Sequence, residues 1–305
     1  MIKNISICTC VLLACCCKVE PPSDSDEIDT TLTKRTPTES AAYKTFYKPA
    51  NGNSGDPMPF YNEDDQTFYD FLLVEPINGA FARNHIFVTK TKDFANFGAL
   101  SETFPSGSDN EHDQWIGTGS CIKKGNTYYF FYSGMNDAFE ASQVVMKATS
   151  IDLVNWNKVP SATIEAPAGY DKREFRDPCV YWDDTRNKYV MLVAGRKGSV
   201  AVIVRYQSDD LIAWDRIEDI TATTSDNPQE LEVVTDTRMM ECPDIFKIGS
   251  VWYLVFSRIN ADVHRKTFYR VADNPNGPWR ISVEDGKHET FDGLFLYAAK
   301  TVSDG

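Results

Sequence analysis

Apolar and aromatic residues gather into four short runs spaced almost evenly along the chain. They are FYDFLL from Phe68, YYFFYSG from Tyr128, YVMLVAG from Tyr189 and YLVFS from Tyr253, and their starts lie 60, 61 and 64 residues apart. Each is rich in aromatic and β-branched residues and bounded by turn signals, the pattern of a buried strand. Turn chemistry precedes three of them, in Asn62-Glu63-Asp64-Asp65, Lys124-Gly125-Asn126 and Asp183-Asp184-Thr185-Arg186-Asn187.

A second element keeps the same period: TKDFANF ending at Phe97, SIDLVNW at Trp156, SDDLIAW at Trp214 and ADNPNGPW at Trp279. A polar turn with Asp followed by an aromatic can pin a connection between outer strands, the Asp bonding turn amides while the ring packs back. A period this long, with several short strands per unit, predicts an all-β fold, a β-propeller. The innermost strands would start at Asp56, Gly117, Arg176, Glu241 and Leu294, giving five blades. The fifth unit stops one strand in, at Gly305, so its blade is expected to be incomplete, and the chain reads as a fragment. The other way to close the ring is a strand donated from Tyr43–Tyr47, which would leave a thin blade with an exposed edge.

Ahead of the repeat, Lys3 precedes an apolar run from Ile5 to Ala14 and then Cys15-Cys16-Cys17. A basic start and a short apolar core make a secretory signal, too short for a membrane-spanning helix. Leu12-Leu13-Ala14-Cys15 resembles a bacterial lipobox, which makes residues 1–17 a signal peptide with Cys15 as the lipidated residue. The alternative is a plain cleaved signal. Residues 18–44 are Pro-, Ser-, Thr-, Asp- and Glu-rich and bury too little to order themselves, so they read as a tether. Residues 45–305 form the propeller domain. Location at a bacterial cell envelope follows, with the lipid as the sole membrane contact.

Hydrophobic content of 42% and charged content of 25% fit a folded domain with a large core. The net charge of −13 argues against a nucleic-acid partner. Cys121, Cys179 and Cys242 are far apart and odd in number, which suits buried, inert thiols. The four histidines, 85, 112, 264 and 288, show no ligand spacing, and Glu111-His112-Asp113 reads as a solvated loop. There is no Gly-x-Ser-x-Gly elbow and no Walker-type loop. No metal or cofactor is implied.

Three acidic motifs open the predicted innermost strands: Gly55-Asp56-Pro57, Arg176-Asp177-Pro178 and Glu241-Cys242-Pro243-Asp244. Singly each is ambiguous, because Asp-Pro is a common turn starter and Arg beside Asp can be a surface ion pair. Jointly they stand at the same place in successive units, where the second and fifth units carry Gly-Thr-Gly-Ser and Leu-Phe-Leu-Tyr. Innermost strands line the central channel, so three carboxylates would converge at its mouth. Two carboxylates across a sugar, with a third gripping its hydroxyls, are what glycoside hydrolysis requires.

GDPMPF, EFRDP and ECPD resemble the signature motifs of glycoside hydrolase family 32, the β-fructosidases, in the right order and over most of the chain beyond the tether. By that resemblance Asp56 is the nucleophile and Glu241 the general acid/base. Asp177 binds fructosyl hydroxyls and stabilises the transition state, with Arg176 beside it. Trp115-Ile116-Gly117-Thr118-Gly119-Ser120 resembles the family's Ser-Gly-Ser region. The substrate-facing set implied is Arg176, Trp115, Ser120 and Phe60, with Trp115 either a stacking platform or a channel-lining core residue. Glu241 has to start protonated, and burial beside two other carboxylates is expected to favour that form. The substrate would be an oligo- or polysaccharide, a fructan or sucrose-like sugar.

The chain departs from the family's usual pattern where Gly55 and Met58 replace asparagines and Leu73 replaces a glutamine. These positions help hold the terminal fructose, so the departures bear on specificity. Two other readings stay open: an inverting, arabinan-type propeller glycosidase, and a non-catalytic glycan-binding lipoprotein.

Overall fold

The sixty-residue repeat folds as a series of antiparallel meanders. The computed structural model describes residues 5–6, 47, 52–76, 83–221, 237–260, 266–280 and 297–304. The leader, Cys15 and the tether to residue 44 therefore lie outside the described residues, apart from Ile5–Ser6.

Blade one contains Gly52–Asn62, Thr67–Pro76, His85–Thr91 and Ser101–Phe104, each paired with the next. Blade two contains Trp115–Lys124, Thr127–Met135 and Gln143–Ser150, with the short pieces Asn157–Lys158 and Ile164–Glu165 both pairing with its third strand. Blade three comprises Phe175–Asp183, Lys188–Lys197, Val200–Ser208 and Asp215–Thr221. Blade four comprises Thr237–Ile248, Val251–Asn260 and Lys266–Ala272, and Arg280 bridges Val271 where a fourth strand would run. A fifth unit is represented by residues 297–304, whose strand Val302–Ser303 pairs antiparallel with Ile5–Ser6. The predicted propeller is therefore present, with four blades among the described residues. Of the segment from Tyr43 to Tyr47 only Tyr47 is described, its ring 4.9 Å from Phe97 of blade one.

The four runs of the repeat are the second strands of the blades, and their near-continuous apolarity has a packing cause. Successive side chains on a strand point to opposite faces, and both faces of an inner blade are covered by neighbours. Phe130 and Tyr132 enter the core shared with blade one, whereas Phe131 between them enters the core shared with blade three. Likewise Met191 and Val193 face blade two, and Val190 and Leu192 face blade four. Each fully buried large side chain contributes about 1.5–3 kcal/mol by leaving water, so these faces hold the blades together.

The second repeated element is a side-chain-capped turn. Asp152 Oδ1 accepts hydrogen bonds from the amides of Val154 and Asn155 at 2.9 and 2.7 Å, while Ser150 Oγ accepts from Leu153 at 3.0 Å. Thr91 with Asp93, and Ser208 with Asp210, repeat the arrangement. Phe94, Leu153 and Leu211 each take the left-handed conformation it requires. Blade four differs, because Asn274 accepts from the turn amide of Asn276 and Asp273 instead pairs with Arg280. The trailing aromatic packs inward: Trp156 lies edge-on to Phe71, Phe104 and Phe130, and Trp279 is buried.

Candidate active site

One irregularity recurs at the same place in the innermost strands of all four described blades. The ladder skips between Gly55 and Met58, Ile116 and Gly119, Arg176 and Cys179, and Glu241 and Asp244. In each case three steps on the inner strand oppose two on its partner, so one residue is extra. Such a bulge bends the strand and re-aims its side chains. Pro57, Pro178 and Pro243 sit inside three of the bulges, where a missing N–H costs no ladder bond. Asp56, Asp177 and Cys242 adopt positive φ of 49°, 59° and 49°, a conformation unfavourable for L-residues, and Ala298 of the fifth unit repeats it at 62°.

This register corrects the expectation that the three acids occupy equivalent positions. Asp56 and Asp177 share the positive-φ slot, which Cys242 fills in blade four. Glu241 stands one residue earlier, in the slot of Gly55, Ile116 and Arg176. The second unit carries no acid: Gly117 fills the slot of Asp56 and Asp177, where a Cβ would lie 3.0 Å from Ser133 Cβ.

The bulges bring the carboxylates to one place. Arg176 donates to Glu241 Oε1 from Nε at 3.0 Å and from Nη2 at 2.5 Å, and its Nε lies 3.9 Å from Asp177 Oδ2. The Cys242 amide donates to Asp177 Oδ2 at 3.0 Å, and the Ser133 hydroxyl accepts from the Asp177 amide at 2.7 Å. The Cys242 thiol is 3.7 Å from Thr118 Oγ1, which in turn donates to Asp56 Oδ2 at 2.6 Å. A continuous series of contacts therefore joins Glu241, Arg176, Asp177, Cys242, Thr118 and Asp56 across four blades. Asp177 and Glu241 are buried, and Asp56 is partly so.

Arg176 is the electrostatic hub. Its Nη1 also donates to Glu174 Oε2 at 2.5 Å and to Gln143 Oε1 at 2.9 Å, and Glu174 pairs outward with Arg238 at 3.1 Å. Burial alone would lower the guanidinium's affinity for its proton, but Asp177, Glu241 and Glu174 raise it. Burial pushes the Cys242 thiol well up, reinforced by Asp177 and Asp56, and Cys179 is pushed up to about 12 by the same cause. These thiols are protonated and free, in keeping with inert packing. Cys121 is free and only partly buried.

The predicted substrate-facing residues divide. Arg176 belongs to the cluster. Trp115 begins the innermost strand of blade two opposite Met135 and is 43% exposed. Phe60 and Ser120 do not join the acids. They lie further along their strands and line a separate cavity of about 370 Å³ with Tyr181, Phe246 and Lys247. Phe60 packs on the core between blades one and two, and Ser120 Oγ accepts from the Val180 amide of blade three. Leu73 is likewise buried in that core, paired with Gly55.

Glu111-His112-Asp113 is no solvated loop. Asp113 is 1% exposed, pairs with Lys158 at 2.7 Å and accepts from Tyr132 at 3.0 Å, while His112 stacks on Phe139. The residues that sequence reasoning passed over are Ser133, Gln143 and Glu174, and Thr118 was quoted within its motif without a role. Only their nearness to an inner-strand bulge links them, and the bulges become visible in the register alone.

Residues 47–305 match the glycosyl hydrolases family 32 N-terminal domain. A sucrose-6-phosphate hydrolase of Zymomonas mobilis subsp. mobilis is 25% identical over 221 residues, covering 68% of this chain and 41% of that protein. The chain spans less than half the length of the curated relatives it matches. Among solved structures, fructan 1-exohydrolase IIa from Cichorium intybus superposes with a TM-score of 0.58 at 20% identity, over 80% of this chain and 46% of that one. A thermostable family-43 glycoside hydrolase superposes with a TM-score of 0.56 at 16% identity, over 76% and 72%. These two likenesses concern the fold. The sequence match, by contrast, runs from blade one into the fifth unit, and the chain belongs to glycosyl hydrolases family 32.

Proposed function

We propose that this chain hydrolyses β-fructosidic bonds in sucrose-like sugars or fructans, with retention of configuration at the anomeric carbon. The observation that carries the reading is the unbroken series of contacts from Glu241 through Arg176, Asp177, Cys242 and Thr118 to Asp56.

In the first half of the reaction, an Asp56 oxygen attacks the anomeric carbon of the fructosyl unit. The bond from that carbon to the glycosidic oxygen breaks, and Glu241 gives its proton to the departing alcohol. In the second half, water attacks the same carbon and displaces Asp56, while Glu241 takes the water's proton. Asp177, held by the Cys242 amide, accepts hydrogen bonds from sugar hydroxyls and offsets the positive charge of the transition state. Thr118 fixes the orientation of the attacking carboxylate. The exposed Trp115 suits stacking against a sugar ring.

The same reading includes attachment at a bacterial cell envelope through a lipid on Cys15, supported by the Leu12-Leu13-Ala14-Cys15 pattern. Among the described residues no helix is long and apolar enough to cross a membrane. Mass spectrometry of the N-terminal peptide from cells, compared with Cys15→Ala, tests this, and an unmodified Cys15 in the mature protein refutes it.

The activity is tested with sucrose, inulin, levan and arabinan as substrates, following the first-formed anomer by NMR. Release of fructose with retained configuration is expected. Glu241→Gln is expected to lower the rate about 10²–10⁴-fold with the fold intact. No fructose release by the parent protein, or an inverted first product, would refute the reading.

A further inference from the structure

The bulge that aims Glu241 leaves Cys242 and Pro243 with no partner across the ladder. Buried backbone groups in that position need other partners. Blade three supplies one, because Asp177 accepts from the Cys242 amide. The fifth unit supplies the other: Lys300 Nζ donates to the Pro243 carbonyl at 2.5 Å. Lys300 is 3% exposed, so its ammonium is a buried charge, two residues before the strand Val302–Ser303.

The contact is reciprocal. Asp244, on the far side of the same bulge, accepts from both the amide and the hydroxyl of Thr301 through Oδ2 at 2.7 Å. Its Oδ1 accepts from the Cys179 thiol at 3.5 Å. Lys300 thus grips the segment after Glu241 while Asp244 grips the residue after Lys300. Counted from the positive-φ residue of each unit, Lys300 stands in the slot of Met58, Cys179 and Asp244. It is the one cation in that layer among the described residues.

We infer that Lys300 is a positioning residue for Glu241, fixing the blade-four bulge from the fifth unit and placing a positive charge beneath the carboxylate cluster. The inference rests on the assignment of Glu241 as the acid/base. Burial alone would lower the proton affinity of Lys300, but Cys179, Asp244, Cys242 and Asp177 raise it, so the group stays charged. Glu241 Oε1 accepts from Arg176 of blade three, whose guanidinium also meets Glu174 and lies 3.9 Å from Asp177. Cys242 and Asp244 follow it on its own strand, and Lys300 reaches that strand from the fifth unit at the Pro243 carbonyl.

The test is Lys300→Met, which keeps length and removes charge and donors, with Lys300→Gln restoring one donor without charge. The readouts are kcat and KM on a β-fructoside, melting temperature, and the carboxyl-carbon NMR titration of Glu241. In Lys300→Met, kcat is expected to fall about tenfold or more with KM within about threefold, and Glu241 to titrate roughly 0.5–1 pH unit higher. Lys300→Gln should recover part of kcat and leave the titration raised. A lower melting temperature with parental kcat and parental Glu241 titration would overturn the inference. Should Lys300→Met not fold, the Gln variant decides it by the same readouts. If the parent hydrolyses no β-fructoside, the functional reading fails, and the titration alone decides whether Lys300 positions Glu241.

Discussion

Arg176 directs two of its donors at a single oxygen, Oε1 of Glu241, while its remaining nitrogen holds Glu174 and Gln143. The guanidinium is thereby fixed on four sides, counting Asp177 at 3.9 Å. A planar fork can satisfy this geometry, and an ammonium cannot.

Arg176→Lys is therefore expected to reduce kcat/KM on a β-fructoside about 10²–10³-fold, since charge placement near the reacting carbon is a large part of such catalysis. Steady-state kinetics with circular dichroism check this. Parental kcat/KM in a folded variant would show that the fork is dispensable.

Thr118 meets the proposed nucleophile through one hydroxyl, at 2.6 Å from Asp56 Oδ2. Thr118→Val keeps the shape and removes that bond, worth about 1–2 kcal/mol in orienting the carboxylate. The expected result is kcat reduced about 5–30-fold, with Thr118→Ser within about threefold of the parent. Equal rates for the Val and Ser variants would rule out the role.

Phe130 is fully buried and meets Phe71, Phe104 and Trp156 edge-on. Phe130→Ala is expected to destabilise the protein by about 3–5 kcal/mol, from lost transfer energy and the cavity left between blades one and two. Urea unfolding measures it, and a loss below about 1 kcal/mol would mean that the blades repack around the gap.

Asp152 is held below the usual carboxylate range by the turn amide and side chain of Asn155 and by the Val154 amide. Asp93 is lowered to about 2 by Asn96 and Ala95. A carboxylate with a depressed folded-state pKa stabilises fully above its unfolded value, about 3.9, and loses that contribution as pH falls through the folded value. Asp152→Ala should cost about 1 kcal/mol at pH 7, as loss of a helix cap does. The gap between variant and parent should narrow as pH drops below about 4. Thermal melts at pH 7 and pH 3 give the comparison, and an unchanged gap would place the stabilisation elsewhere.

The repeat was legible because each blade imposes the same local demands: a second strand buried on both faces, and a turn whose Asp or Asn caps amides before an aromatic returns to the core. Trp156 and Trp214 announce those demands in the sequence itself. The acidic motifs were legible as well, since Asp-Pro and Glu-Cys-Pro mark inner-strand openings. Phe60 and Ser120 were misplaced because a motif spans several residues of a strand, and neighbouring positions on an inner strand can serve opposite ends of the channel.

What the chain determines by itself is periodic and local: the number and type of strands, the capped turns, and the residue types available for acid–base chemistry. Tertiary structure alone decided that Glu241 sits one slot before Asp56 and Asp177 in its bulge, and that Thr118 and Cys242 join the three acids and Arg176. The reason is physical. A one-residue bulge leaves almost no mark in sequence, yet it redirects every side chain near it, and contacts between residues more than sixty positions apart exist only once the blades have closed around a common axis.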